Sequence, residues 1–439
     1  MLEPNAPMQL RPVLLALVAT LLAAAQEPAT QHAPLGASAS VEASGLHAFS
    51  YPAPVLSALE RRAFAVGKSF FEADWITAPA SASGRDGLGP LFNARSCSAC
   101  HPRDGRARPP LDAGDRTSGL LLRLGLVEGG RALPHPLLGT QLQDRAIDGR
   151  AVEARVQVSW RDQANGLVAP HYQLNTPDGT KVDPKLRLSA RIAPQLIGLG
   201  LLEAIPASQI IAAADAEDRN ADGISGRTHF VFDRDSKTRV LGRFGWKATQ
   251  PNVRQQVASA LRHDIGITSP LFPDADLNPE IDAAKLERLS FYTRVLAVPA
   301  QRTPNAPAVA RGRKLFGELA CDACHTPTWT TDADAWLPAY SAQTIHPYTD
   351  LLLHDMGAGL ADELPAGAAS GAEWRTPPLW GIGLFQSVNA HTRYLHDGRA
   401  RNLREAILWH GGEAAASRDR FQSQESSAQT ALLAFLGSL

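Results

Sequence analysis

The stretch Cys97-Ser98-Ala99-Cys100-His101 recurs later in the chain as Cys321-Asp322-Ala323-Cys324-His325. Both follow the pattern C-x-x-C-H, in which two thiols can form thioethers to one haem and the histidine can ligate its iron. The chain has four cysteines, and these two stretches contain all of them. We therefore predict two covalently bound c-type haems, with His101 and His325 as the proximal iron ligands.

Two other interpretations of the paired cysteines fit the pattern less well. A redox-active dithiol needs no histidine beside its second cysteine. A structural zinc site places two thiolate pairs within one small ribbon, whereas these pairs lie far apart in the chain.

Length and composition set broad limits on the protein. Its 439 residues suit two or three domains, and a hydrophobic content of 44% can supply their cores. The net charge of −1 gives no electrostatic reason to expect nucleic acid or an anionic membrane as a partner. Because no apolar run reaches the length of a membrane span, we expect no transmembrane helix.

The N-terminus has the features of a secretion signal. Arg11 precedes an apolar run from Val13 to Ala25 that ends in three alanines. This order matches the charged, apolar and small-residue regions of a signal peptide. We assign residues 1–25 to a signal peptide and expect a soluble periplasmic protein, because haem c is attached outside the cytoplasm.

Composition also suggests domain boundaries. Residues 26–50 are rich in Ala, Ser, Pro and Gly and are interpreted as a flexible leader. Three prolines between Val298 and Pro307 interrupt any helix and predict a boundary near residue 300. We expect an N-terminal haem domain over 51–300 and a C-terminal haem domain over 301–439.

A helix that leads into C-x-x-C-H resembles the start of a cytochrome c domain, so we expect a mainly α fold with two cytochrome c-like haem domains, the first enlarged by loops and short β insertions. The predicted elements are helices from near Ser57, over 253–267 and over 282–297, and strands over 151–160, 228–232 and 239–244. Residues 194–203 and 377–386 also match at five of ten positions, each copy downstream of a haem motif. This repeat supports an internal duplication.

Longer motifs resemble the di-haem oxidoreductase family of peroxidase-like proteins, which is related to bacterial di-haem cytochrome c peroxidases and the di-haem enzyme of methylamine utilisation. Besides the haem motifs, the resemblance is carried by residues 87–94, 198–206, 222–227, 242–248, 354–357, 375–379 and 394–399. It implies that one haem receives electrons from a small donor, a cytochrome c or a cupredoxin, while peroxide reacts at the other. A di-haem oxidase of protein or organic substrates and a non-catalytic electron carrier are the alternatives.

Met356 is the candidate sixth ligand of the second haem. It is the one methionine outside the signal segment, and a His/Met haem has a raised potential that suits electron transfer. The rivals for this position are His354, Tyr394 and His396. For the first haem, the nearest downstream histidines are His135 and His171.

Peroxide cleavage needs a group that moves a proton from one oxygen to the other. Glu203 is the candidate, because its apolar surroundings would raise its pKa. Its counterpart in the repeat, Gln386, cannot carry a proton in this way, which fits one reactive haem and one electron-transfer haem. Gln141 is an alternative, and a purely structural Glu203 is another.

Three further features are weighed against ordinary structural roles. Asp218, Asn220 and Asp222 match the first half of a calcium loop, although Asx turns give the same pattern. The resemblance implies calcium between the domains, so Ca²⁺ is a candidate ion. Trp246 is a candidate electron relay, and Arg399 a candidate partner for a haem propionate.

Overall fold

The computed structural model describes residues 33–81, 84–112, 114–115, 119–274 and 279–439, together with Met1. The predicted signal peptide, apart from Met1, lies outside these residues and stays a prediction. Within the described ranges, the structure shows no helix that is both long and apolar enough to span a membrane.

The helices are α1 (Ala58–Glu72), α2 (Cys97–Cys100), α3 (Leu199–Glu203), α4 (Ala207–Ala213), α5 (Val253–Ala260), α6 (Ala283–Arg294), α7 (Pro307–Glu318), α8 (Phe385–Asn389), α9 (Leu403–Leu408), α10 (Ala415–Ser423) and α11 (Ser426–Ser438). The strands are β1 (Ser40–Val41), β2 (Leu91–Phe92), β3 (Leu120–Glu128), β4 (Arg131–Leu133), β5 (Arg145–Ala146), β6 (Arg155–Asp162), β7 (Val168–Asn175), β8 (Arg187–Ile192), β9 (Phe230–Phe232), β10 (Arg239–Leu241), β11 (Val298–Pro299), β12 (Trp329–Thr330), β13 (Thr344–Ile345), β14 (Leu353–Asp355) and β15 (Glu373–Arg375).

The prediction of a mainly α fold is wrong, because the chain is mixed α/β. Helix accounts for 30% of it and strand for 19%, in many small sheets. The largest described sheet has the order β4-β3-β8, and β3 pairs with β8 along six residues. Strand β3 is an almost continuous apolar run, and periodicity alone cannot distinguish such a run from a buried helix.

Other predicted elements are confirmed. Helix α1 begins after Ser57, whose side chain and that of Glu60 form a reciprocal capping box. The strand predicted over 151–160 is β6, which pairs with β7 in a hairpin. The predicted short pair is the β9–β10 hairpin, and α5 and α6 lie within their predicted ranges.

Two helix pairs with the same packing support the haem motifs. Gly67 of α1 lies against α6, and Gly312 of α7 lies against α11. A Cβ atom added at Gly67 would lie 2.3 Å from a carbonyl oxygen of α6. One added at Gly312 would lie 2.0 Å from a carbonyl oxygen of α11. Glycine at both crossings lets the backbones approach closely, and the shared arrangement supports the predicted duplication.

The two copies of the internal repeat contact each other reciprocally. Gly198 and Gly381 occupy equivalent positions, and both have a left-handed backbone, with φ of +70° and +76°. A Cβ atom on Gly198 would lie 2.3 Å from the ring of Trp380, and one on Gly381 would lie 2.6 Å from Ile197. Each glycine therefore packs against the residue that precedes the other glycine, as expected for two halves related by pseudo-twofold symmetry.

One hydrophobic core extends from Leu35 to Leu439 and includes residues of both halves. The segment interpreted as a flexible leader differs from expectation over its described part, since Leu35 and Phe49 are buried in this core. Strand β1 pairs in parallel with β11, so the boundary predicted near residue 300 lies in buried, paired backbone.

Candidate haem cavity

A single cavity reaches both C-x-x-C-H motifs. Its walls are mainly apolar and include Cys97, Cys100 and His101 of the first motif and the three matching residues of the second. No disulfide links the four cysteines, so each thiol is available for a thioether bond. Burial raises the pKa of Cys97 and of Cys321 to about 12.

Each motif is held at the end of a helix whose last turn carries a phenylalanine. The backbone N–H of His101 donates to Cys97, and that of His325 donates to Cys321, so each motif closes into one turn. The ring of Phe71 from α1 lies 6.3 Å from that of His101, and Phe316 from α7 lies 6.3 Å from His325. The apolar ring beside each histidine limits access of water.

The two motif histidines are oriented as iron ligands. His101 Nδ1 lies 2.7 Å from the carbonyl oxygen of Pro194, and His325 Nδ1 lies 3.0 Å from that of Tyr348. Such a bond assigns the proton to Nδ1 and leaves Nε2 free to bind a metal. Burial lowers the pKa of both rings to about 4, so both are neutral at pH 7. The residues present therefore fit a haem at each motif.

His410, which sequence reasoning missed, lies opposite His325. The centres of the two rings are 6.5 Å apart, and His410 also lines the cavity. A metal–imidazole bond measures about 2 Å, so two imidazoles on opposite sides of one metal have centres roughly 6 Å apart. His410 Nδ1 lies 2.7 Å from the carbonyl oxygen of Ala406, which leaves its Nε2 free. His410 therefore fits the sixth position of the second haem.

The predicted ligand Met356 also lines the cavity, and it packs against the buried cluster of Trp246, Leu360 and Trp374. Its ligation of iron stays a prediction, and the geometry favours His410 for the position opposite His325.

Of the three rival ligands, His354 and Tyr394 are engaged elsewhere, whereas His396 lines the cavity and its ligation of iron stays a prediction. Both ring nitrogens of His354 lie 2.7 Å from carboxylate oxygens, those of Asp350 and Glu413, so neither is available to iron. The hydroxyl of Tyr394 donates to the carbonyl of Ile382. His135 and His171, considered for the first haem, are absent from the described cavity wall.

Asp264 is the only carboxylate among the described residues that line the cavity. Its backbone carbonyl accepts hydrogen bonds from Asn93 and Ala94, shortly before the first motif. Its charge also acts on the thiols of Cys97 and Cys100, which places it beside that motif. Burial raises the pKa of Asp264. A group that accepts and then donates a proton works best with a pKa near the working pH, and the raised pKa is a shift in that direction.

A polar network orients the Asp264 carboxylate. Gln141 Nε2 donates to Asp264 Oδ1 at 2.8 Å and to Asn93 Oδ1 at the same distance. Asp264 lies in a π-helical turn, Leu261–Ile265, that continues α5, and such turns are frequent at functional sites. Gln141, considered from the sequence as an alternative proton carrier, instead supports the carboxylate.

Glu203 is not among the described residues of the cavity wall. Its carboxylate accepts two bonds from Arg294, at 2.5 and 3.1 Å, and one from the backbone N–H of Val253 at 2.9 Å. These contacts join α3 to α5 and α6. The arrangement favours a structural role, and the predicted catalytic role has no support from this geometry.

The candidate calcium loop uses its carboxylates internally. Asp218 accepts bonds from the backbone N–H groups of Asp222 and Gly223, and Asp222 accepts one from Ile224, as in Asx turns. In the part of the chain that the structure describes, no three or more His, Cys, Asp or Glu residues are grouped to hold a metal ion. Calcium binding through Asp218, Asn220 and Asp222 stays a prediction.

Trp246 lines the same cavity as both motifs, and its Nε1 donates to the carbonyl of Ile192 at 2.9 Å. This position is compatible with the predicted relay role. The guanidinium of Arg399 is paired with Asp397, and its pairing with a haem propionate stays a prediction.

Comparison with protein families gave one result. A family model described as "di-haem oxidoreductase, putative peroxidase" matches residues 33–124, 175–280 and 274–439. Searches of curated proteins and of solved structures found no match.

Proposed function

Because this chain belongs to the di-haem oxidoreductase family, we propose that it reduces hydrogen peroxide to water with electrons from a small redox protein. We further propose that both haems are attached covalently, through Cys97 and Cys100 and through Cys321 and Cys324. Since haem c is attached outside the cytoplasm, the same proposal includes a periplasmic location and the predicted signal peptide.

One asymmetry of the cavity supports this function. The first motif has a buried carboxylate beside it, Asp264, whereas the second has a histidine, His410, opposite its proximal ligand. An iron with two histidine ligands suits electron transfer, and a haem beside a proton-carrying group suits peroxide reduction. This pairing argues against two equivalent electron-transfer haems.

The reaction consumes one H₂O₂, two protons and two electrons, and it releases two water molecules. The haem irons supply the electrons when the groups are bound. Asp264 would take a proton from one peroxide oxygen and give it to the other, which would then leave as water. Gln141 holds one carboxylate oxygen of Asp264 during this transfer. The apolar wall keeps bulk water from exchanging that proton.

Electrons enter through the second haem in this scheme. His325 and His410 would hold the iron of the second haem, and an iron with two histidine ligands would serve electron transfer rather than substrate binding. Trp246, in the wall of the cavity that reaches both motifs, is the candidate relay between the two haems. The donor is a cytochrome c or a cupredoxin, as the family resemblance implies.

Steady-state turnover tests the proposal. The purified protein is supplied with hydrogen peroxide and a reduced small cytochrome c or cupredoxin, and oxidation of the donor is followed optically. We expect two donor molecules oxidised per peroxide consumed. If neither a cytochrome c nor a cupredoxin is oxidised at any peroxide concentration, the peroxidase proposal is wrong. The protein would then be an electron carrier or an oxidase of other substrates.

A further inference from the structure

Two arginines on neighbouring strands face the haem cavity. Arg123 lies on β3 and Arg191 on β8, where Leu121 pairs with Arg191 and Arg123 pairs with Ser189. Residues that alternate along paired strands share one face of the sheet, so both arginines lie on the same face. Both side chains line the cavity.

Neither guanidinium has a carboxylate partner among the described residues. Arg191 Nε donates to the hydroxyl of Ser189 at 3.1 Å, and no described group accepts a hydrogen bond from the Arg123 side chain. No ion pair within 4.0 Å involves either arginine in the described ranges. Burial lowers the pKa of Arg191 to about 10, so it stays charged at neutral pH.

The charged groups around this wall do not balance. Lys247 is paired with Asp362 at 3.2 Å, and Asp362 also accepts the Ser189 hydroxyl. Asp264 attracts Arg123, but its own pKa is raised by burial and its Oδ1 is bonded to Gln141. Arg123, Arg191 and Lys247 therefore share two nearby carboxylates, those of Asp264 and Asp362. A buried cation without a partner is costly, so the wall is built for an additional anion.

We propose that Arg123 and Arg191 form a carboxylate-binding site on the cavity wall, occupied by the propionates of the haem at the first motif. Guanidinium groups bind carboxylates through paired hydrogen bonds. The location follows from Asp264, which interacts electrostatically both with Arg123 and with the thiols of Cys97 and Cys100. The β3–β8 sheet, absent from the expected helical fold, thus has a direct role at the haem.

A carboxylate on a small organic ligand has the same chemistry as a propionate, so the experiment separates the two sources. The variants are Arg123→Gln, Arg191→Gln and the charge-preserving Arg123→Lys. Arg187→Gln is the matched control, because Arg187 is on the same strand β8 but pairs with the exposed Glu363 outside the cavity. The reduction potential of each haem is measured by spectroelectrochemistry of the holoprotein, with and without added succinate.

If propionates occupy the site, the potential of the first haem falls in R123Q and in R191Q, because a positive charge that favours the reduced iron is lost. R123K and R187Q keep the wild-type value, and succinate has no effect. If a free carboxylate occupies it, succinate shifts the spectrum of the wild type and binds about tenfold more weakly to R123Q. Unchanged potentials in both glutamine variants, together with no response to succinate, would overturn the proposal.

The inference rests on haem binding at the first motif but does not depend on peroxide turnover. Potentials are measured in the absence of peroxide, so a protein that binds two haems without peroxidase activity would still test it. A first motif without haem would refute the proposed function before this measurement is made.

Discussion

The ring of His410 lies 6.5 Å from the ring of His325, and both rings point Nδ1 at a backbone carbonyl. This distance is close to the roughly 6 Å expected between the centres of two imidazoles that bind one metal ion. The second haem is thereby expected to have two histidine ligands.

Replacement of His410 tests this ligation directly. We expect His410→Ala to convert one low-spin iron to high-spin, because the sixth ligand is lost. His410→Met should keep that iron low-spin and raise its reduction potential, since methionine ligation favours the reduced state. Electron paramagnetic resonance of the oxidised protein and potentiometry report these changes.

Met356→Leu is the matched control for His410, since Met356 lies in the same cavity wall. We expect both irons of this variant to keep their wild-type spin states. Loss of a low-spin signal in Met356→Leu but not in His410→Ala would show that the methionine, as first predicted from the sequence, is the ligand.

Peroxide turnover should depend on Asp264. Asp264→Asn keeps the shape of the side chain but removes the proton carrier, and we expect kcat to fall about 10²–10⁴-fold. Haem content should be unchanged, because Asp264 binds no iron. Glu203→Gln, which alters a buried carboxylate away from the described cavity wall, should change kcat much less. The opposite ranking of these two variants would restore Glu203 as the proton carrier.

Glu203 is expected to contribute to stability. Its side chain is only 12% exposed and is paired twice with Arg294. We expect Glu203→Gln to lower the free energy of unfolding by about 2–4 kcal/mol, because Arg294 loses its partner. Denaturant unfolding of the holoprotein measures this difference, and an unchanged stability would argue against the structural role.

The reciprocal contact between the repeats should be sensitive to one methyl group. Gly198→Ala would place a Cβ 2.3 Å from Trp380 at a left-handed φ, so we expect a loss of about 3 kcal/mol or more. Gly223→Ala is the control, because Gly223 has φ of +83° but a Cβ added there would meet no atom within 4 Å. It should cost only about 1–2 kcal/mol of backbone strain. Equal losses in the two variants would contradict the packing argument.

Stability should also depend on pH through His354. Burial alone lowers the pKa of His354, but hydrogen bonds to Asp350, Cys324 and Glu413 outweigh it and raise the pKa to about 12. Since this pKa is above the unfolded value, the contribution is complete below pH 6.5 and is lost as pH rises toward 12. The destabilisation caused by His354→Gln should therefore be larger at pH 6 than at pH 10, as measured by denaturant unfolding.

His391 is a control because its pKa is shifted in the opposite direction to that of His354. Burial lowers its pKa to about 4, so its contribution is present above pH 6.5 and is lost as pH falls toward 4. The effect of His391→Gln should thus shrink on acidification. The same pH trend in both variants would contradict the account.

The sequence predicted local features well. The C-x-x-C-H motifs, the Ser57 cap and the β9–β10 hairpin depend on residues close together in the chain, so spacing alone indicates them. The repeat at Gly198 and Gly381 was also visible, because identical local packing needs identical residues.

Long-range pairing could not be predicted in this way. Asp264 reaches the first motif through backbone bonds to Asn93 and Ala94, and no local pattern marks it. His410 was not identified from the sequence, since its relation to His325 depends on how the C-terminal helices pack. Strand β3 was missed because an apolar run has no period of its own.

The central claim is that the two haem sites differ, one reactive beside Asp264 and one held between His325 and His410. Electron paramagnetic resonance of the oxidised and half-reduced protein, before and after addition of hydrogen peroxide, tests it most directly. We predict two haems per chain, with a low-spin signal typical of two histidine ligands and a second signal that is lost on adding peroxide. Two low-spin irons that do not respond to peroxide in either state, or a single haem per chain, would contradict the account.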